Sequence, residues 1–143
     1  MTLTNSLNKQ IANWSVLYTK LHRFHWFVKG PAFFTLHGKF EELYNEAAAN
    51  VDTIAERTLA AGGKPIAAMS QFLEQASIAD NGSEETAEEM VASLISDYGT
   101  ISSELKQLAG IADQEGDPVT EDLAIGLIED LEKKIWMLKA FIA

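Results

Sequence analysis

The placement of proline constrains this chain of 143 residues more than any other feature. Its three prolines, Pro31, Pro65 and Pro118, each stand within two residues of a glycine, and the long stretches between them contain none. A proline inside a helix removes a hydrogen-bond donor and clashes with the preceding turn, so those stretches are free to be helical and the prolines mark their junctions. Apolar residues recur there at helical spacing, and no stretch alternates apolar and polar convincingly enough to be a strand.

The pattern predicts a first helix from about Ser6 to Val28, with Ile11, Trp14, Val16, Leu17, Leu21, Phe24 and Val28 on its apolar face and Gly30-Pro31 as its stop. A second runs from about Thr35 to Ala61, contributing Phe40, Leu43, Val51, Ile54 and Leu59 to the core, and Gly62-Gly63 ends it. The connection from Gly62 to about Gly82 exceeds an ordinary bundle turn and contains a short helix of its own, Ala67 to Gln75. It is long enough to cross from one end of a bundle to the other. The third helix runs from about Ser83 to Ala112, with Asn81 or Ser83 as its cap. Asp117 as cap and Pro118 at the first helical position start the fourth, which continues to about Phe141. Trp14 and Trp136 are expected in the core. Two helices, a long crossover and two more helices make one all-α, ferritin-like four-helix domain over residues 1–143, with an extra short helix in the crossover.

There is no cysteine, so disulfides and thiolate metal sites are excluded, as suits a reducing cytosol. No basic segment followed by an apolar run suggests secretion, and no stretch is apolar enough to span a membrane. The formal net charge of -10 repels phosphate backbones and favours cations.

All three histidines, His22, His25 and His37, lie within sixteen residues, and Glu41, Glu42, Asp52 and Glu56 follow on the second helix. Imidazole with carboxylate suits iron, manganese or zinc. His37 and Glu41 are four apart, as are Asp52 and Glu56, so each pair shares a helix face. Both pairs point to about the same side but stand about 16 Å apart along the axis, so one helix cannot bring them onto one metal. The residue numbers of His37 and Glu56 have the same sum as those of Glu41 and Asp52. Two copies of the helix packed antiparallel about a two-fold axis near Glu46-Ala47 would therefore set His37 against Glu56 of the partner subunit, and Glu41 against Asp52 of the partner subunit. Ala47-Ala48-Ala49 lies beside that axis and permits close approach. His25 joins such a site if the turn after the first helix folds it back. Carboxylates four apart are also common on plain solvated helix faces, and histidines are often capping or packing groups.

The chain resembles the Dps family, the mini-ferritins first named as DNA-binding proteins of starved cells. His25-Trp26-Phe27-Val28-Lys29-Gly30, then Leu36-His37, then Glu41 match the family's first signature. Val51-Asp52-Thr53-Ile54-Ala55-Glu56-Arg57, then Leu59, Gly62-Gly63 and Pro65, are similar to the second. The likeness extends to the segment from Lys134 to Phe141 and looks closest to the Gram-positive, peroxide-responsive branch.

The resemblance implies a ferroxidase with a di-iron centre shared between subunits: His25, His37 and Glu41 from one, Asp52 and Glu56 from its two-fold mate. It implies Fe(II) oxidised to Fe(III), hydrogen peroxide preferred to dioxygen, a homododecameric shell that stores the ferric mineral, and a cytoplasmic, nucleoid-associated location. Asp52, Glu56 and His25 would form the tighter iron site, and His37 with Glu41 the weaker. Many relatives carry aspartate where this chain has Glu41. His22 resembles an outer-shell position. Trp26 is a candidate electron donor, with an interface aromatic as the plainer role. Asp113, Glu115, Asp117, Glu121 and Asp122 fall where an acidic three-fold pore is expected, though acidic residues also simply start helices. Glu42 and Glu46 could face the cavity and nucleate mineral. A DNA-compacting structural role is the alternative. Some members use lysine-rich extensions for it, whereas here only Lys9 precedes the interior of the first helix, so DNA would be bound weakly or through bridging metal ions. A helical bundle with no metal chemistry is the third reading.

Overall fold

The computed structural model describes residues Met1 to Ala143 and contains five helices: α1 (Leu3–Phe27), α2 (Phe33–Ala60), α3 (Met69–Gln75), α4 (Ala87–Gln114) and α5 (Pro118–Ile142). The four long helices pack around one core, in which Trp14, Phe24, Phe40 and Tyr98 are the largest fully buried side chains. No helix is long and apolar enough to cross a membrane.

Polar bonds between helices set the directions. Gln10 and Asn13 near the start of α1 donate to Glu104 late in α4, while Lys20 farther along α1 reaches Asp97 earlier in α4. Arg57 at the end of α2 meets Asp117 at the start of α5, and Glu46 meets Lys134 farther along. Both pairs of helices are therefore antiparallel, and the chain between α2 and α4 must travel the length of the bundle.

It does so along α1, on a ladder of polar side chains. Asn8 donates to the carbonyl of Lys64 at 3.1 Å and accepts from the amide of Ile66 at 3.0 Å. Asn13 accepts from the amide of Ser77 at 2.7 Å. Lys20 donates to the carbonyl of Ala79 at 3.1 Å, and Arg23 to Asp80 at 2.6 Å. A loop that covers a helix buries backbone groups that must be paired. This explains why α1 buries Asn8, Asn13 and Lys20 among its apolar residues.

Three expectations need correction. The third long helix starts at Ala87, not near Ser83, because Thr86 and Glu89 cap each other's amides at 3.1 and 2.9 Å. Such a box satisfies two orphan donors at once. The segment expected to be helical ahead of it is instead drawn against α1, with Glu84 bonded to Lys20 and Arg23. Trp136 is 66 % exposed, whereas Trp14 is buried as expected. The inward line of α5 is Thr120, Ala124, Leu131 and Leu138, and Trp136 lies about 200° around the helix from Leu138. Leu59 is 60 % exposed, one position past the inward line of Ile54 and Thr58. The start of α5 is as expected: Asp117 caps the amide of Thr120 at 3.0 Å, with Pro118 next.

Candidate metal half-site

The turn between α1 and α2 builds the site. Val28 is buried and closes α1 by donating to the carbonyl of Phe24 at 3.0 Å. Gly30 has φ +108°, a backbone conformation that side chains disfavour, and Phe33 then donates back to Gly30 to open α2. The reversal brings the end of α1 alongside the first turns of α2.

His25 and His37 meet there with stacked rings, 3.7 Å between centroids and 12° between planes. Each donates from Nδ1 to the other's backbone carbonyl, at 2.6 Å from His25 and 2.7 Å from His37. A carbonyl can only accept, so each Nδ1 carries a proton, and in the neutral ring Nε2 is the nitrogen that keeps a lone pair. That is the tautomer in which imidazole binds a metal ion, with ring orientation fixed by the second nitrogen. Glu41 Oε1 lies 3.8 Å from His25 Nε2. Phe33 stacks on the far side of His37 at 5.0 Å, and Tyr44 sets its ring edgewise to His25 at 5.4 Å.

Asp52 and Glu56 stand on the same helix and are exposed, as are Glu41 and, between the pairs, Asn45, Ala48 and Ala49. Ala47 alone of the alanine triplet is buried in the core. The Glu56 carboxyl is raised above its ordinary range by hydrogen bonding to Asp52 and then by that residue's charge, so the two compete to be ionised. A bound cation would remove that competition. Within one chain no three histidine, aspartate or glutamate side chains converge on a point that could hold a metal ion. The structure brings together His25, His37 and Glu41, and leaves Asp52 and Glu56 as a separate exposed pair.

Trp26 directly follows His25 in the chain. It is 65 % exposed, and its aromatic neighbour is His22, at 5.4 Å. His22 donates from Nδ1 to the carbonyl of Tyr18 at 2.9 Å and stacks on Tyr44 at 3.7 Å. Tyr44 is the residue that sequence reasoning missed. Its spacing from His37 and Glu41, seven and three residues, puts it on their face, and that was the available signal.

The acidic stretch at the α4–α5 turn is divided. Asp113, Glu115 and Asp122 are exposed, and Glu121 is half-buried. Asp117 is committed within the chain: it accepts from Thr120 and pairs with Arg57 at 3.5 Å, and its carboxyl is held below the usual range chiefly by the hydrogen bonds from Thr120. Glu42 and Glu46 are paired as well, with Lys39 at 3.2 Å and Lys134 at 3.0 Å.

The family model for the ferritin-like domain matches residues 4–143. "DNA protection during starvation protein 2" of Bacillus anthracis is 56 % identical over 136 residues, covering 95 % of this chain and 93 % of the relative. "General stress protein 20U" of Bacillus subtilis is 51 % identical over 140 residues, covering 98 % and 97 %. The crystal structure of Dps from Staphylococcus aureus superposes with a TM-score of 0.96 at 48 % identity, over 99 % of this chain and 95 % of that one. A zinc-soaked Dps from Listeria innocua gives 0.94 at 38 % identity, over 98 % and 95 %. With its crossover, its folded-back histidine pair and these relatives, the chain belongs to the Dps family of ferritin-like proteins.

Proposed function

We propose that the chain is a subunit of an iron-storage and detoxification shell, a homododecamer that oxidises Fe(II) at sites shared across two-fold axes and keeps the Fe(III) as mineral. The reciprocal bonding of His25 and His37 carries this reading. It fixes two Nε2 lone pairs beside a carboxylate in a set of ligands too small to hold an ion alone. The missing carboxylates stand ready as Asp52 and Glu56, spaced so that an antiparallel copy of α2 would supply them. The exposed strip of asparagine and alanine between the pairs suits that close approach.

Iron is the substrate here. Asp52 and Glu56 of one subunit with His25 of the other form the tighter site, and His37 with Glu41 the weaker. The hard oxygen and imidazole donors suit ferrous and ferric iron. Hydrogen peroxide accepts two electrons, so two irons held together consume both oxidising equivalents and release no hydroxyl radical. Trp26 stands as an outer electron source. Asp113, Glu115, Glu121 and Asp122 remain the candidates for lining an entry pore, and Asp117 holds the turn that presents them. Location in the cytoplasm and protection from oxidative stress follow from this reading.

Mixed assembly tests it. Shells of His37→Ala chains alone, or of Asp52→Ala chains alone, oxidise ferrous iron with peroxide far more slowly than the unaltered protein. Shells assembled from both kinds of chain recover some activity, because a dimer of the two types keeps one intact site. No recovery in confirmed mixed shells refutes the shared site. The second reading, DNA compaction, rests on the names of the relatives. A gel shift titrated with salt and divalent metal separates the two: tight binding without divalent ions favours compaction, whereas the charge of -10 predicts binding only with bridging cations.

A further inference from the structure

We propose that Tyr44 is the inner electron donor of the site, lending one electron when a peroxide molecule meets a single ferrous ion. This rests on the ferrous-oxidation reading above.

The argument is one of position. Tyr44 is half-buried, and its ring lies edgewise to His25 at 5.4 Å, one helical turn beyond Glu41. Trp26 joins the cluster through His22, which stacks on Tyr44 at 3.7 Å and stands 5.4 Å from Trp26. Tyr18 closes the cluster edgewise at 6.0 Å from Tyr44. Beside the ligands stands a phenol within an aromatic cluster, whereas the tryptophan ring joins that cluster at His22.

The chemistry balances. One ferrous ion and hydrogen peroxide give ferric iron, hydroxide and a hydroxyl radical. The radical takes the hydroxyl hydrogen of Tyr44, giving water and a phenoxyl radical. A second ferrous ion supplies an electron and solvent supplies a proton, restoring the phenol and leaving ferric iron. Both oxidising equivalents of one peroxide end on iron, although the two irons arrive in succession. Tyr44 thereby gives a half-filled site the same stoichiometry as a filled one.

The test loads assembled shells with one ferrous ion per site, adds peroxide, and freezes the mixture for electron paramagnetic resonance, with a spin trap in parallel. The unaltered protein is expected to show a tyrosyl signal and little trapped hydroxyl radical. Tyr44→Phe, which keeps the ring and its packing on His22, loses that signal and accumulates trapped radical, and when ferrous iron is then added to thawed parallel samples its iron oxidised per peroxide falls from two toward one. Trp26→Phe retains the tyrosyl signal. Mass spectrometry of shells left short of iron finds added oxygen at Tyr44. A tyrosyl signal that persists in Tyr44→Phe, or one absent from the unaltered protein while peroxide still oxidises its iron, overturns the assignment to Tyr44 and leaves ferrous oxidation standing. Failure of the unaltered protein to oxidise ferrous iron with peroxide overturns both.

Discussion

His25 Nδ1 lies 2.6 Å from the carbonyl oxygen of His37, and His37 Nδ1 lies 2.7 Å from the carbonyl oxygen of His25. Each imidazole is the other's orienting group, so the two are expected to fail together. His37→Ala removes one candidate ligand and also frees the ring of His25. Affinity for a redox-inert probe such as zinc should fall by about 10- to 100-fold or more, since the loss of an orienting partner alone has effects of that size. Calorimetric titration of assembled shells measures it. A change no larger than that of His22→Ala would show that the pair does not hold metal.

The crossover should depend on Lys20. Its side chain is 3 % exposed, with the ammonium bonded to Asp97 at 2.8 Å, to Glu84 at 3.4 Å and to the carbonyl of Ala79. Burial raises the Asp97 carboxyl, and Lys20 opposes that shift. Lys20→Met leaves buried acid without a cation and should cost about 3–5 kcal/mol. Lys20→Met combined with Asp97→Leu should cost less than the single change. Denaturant unfolding of both proteins decides, and equal losses would show that an uncompensated Asp97 is not what the single change costs.

Stability toward acid should follow the depressed carboxylates. Glu89 is held below the ordinary range by hydrogen bonds from Thr86, and Asp117 by those from Thr120. Burial pushes Glu84 up, but its backbone bond, Ser93 and the two cations of α1 prevail and bring it down. Each group binds protons more weakly folded than unfolded. Its contribution is complete above the ordinary carboxylate pKa and is lost as pH falls through the depressed folded value. Melting temperature should therefore drop on acidification below about pH 4.5, where ordinary carboxylates begin to protonate. Glu89→Gln should flatten part of that drop in thermal melts followed by circular dichroism. An identical profile would exclude the α4 cap as a contributor.

Gly63 is packed rather than merely flexible. A Cβ there would lie 2.7 Å from Thr4 Oγ1 and 3.2 Å from Thr58 Cγ2. Gly63→Ala should destabilise by about 1–3 kcal/mol, as overpacking does. Adding Thr4→Ala should restore part of the loss, because it removes the nearest atom. Full tolerance of Gly63→Ala would show that the start of the crossover moves freely away from α1.

The candidate ligands and four helices were legible in the chain because both are written in local spacing. Intervals of four residues on α2 fix which side chains share a face wherever the helix goes. Asp117-Pro118 and the glycines at 30, 62 and 116, all with positive φ, act on their own few residues. The start of α4 was equally local, but two polar signals lay close together. Thr86 with Glu89 prevailed because they satisfy each other, while Asn81 only accepts from Ser83.

Sequence by itself determined where the chain is helical, where it turns and which carboxylates and histidines lie on one side of α2, since these depend on neighbours a few residues away. Tertiary structure alone decided that Trp136 faces outward, that Asn8, Asn13 and Lys20 are buried beneath the crossover, and that Tyr44 stands against His25 while Trp26 does not. Those outcomes depend on which elements become adjacent. Adjacency is fixed by the packing of whole helices and by the need to pair buried backbone groups, and neither can be read from any single segment.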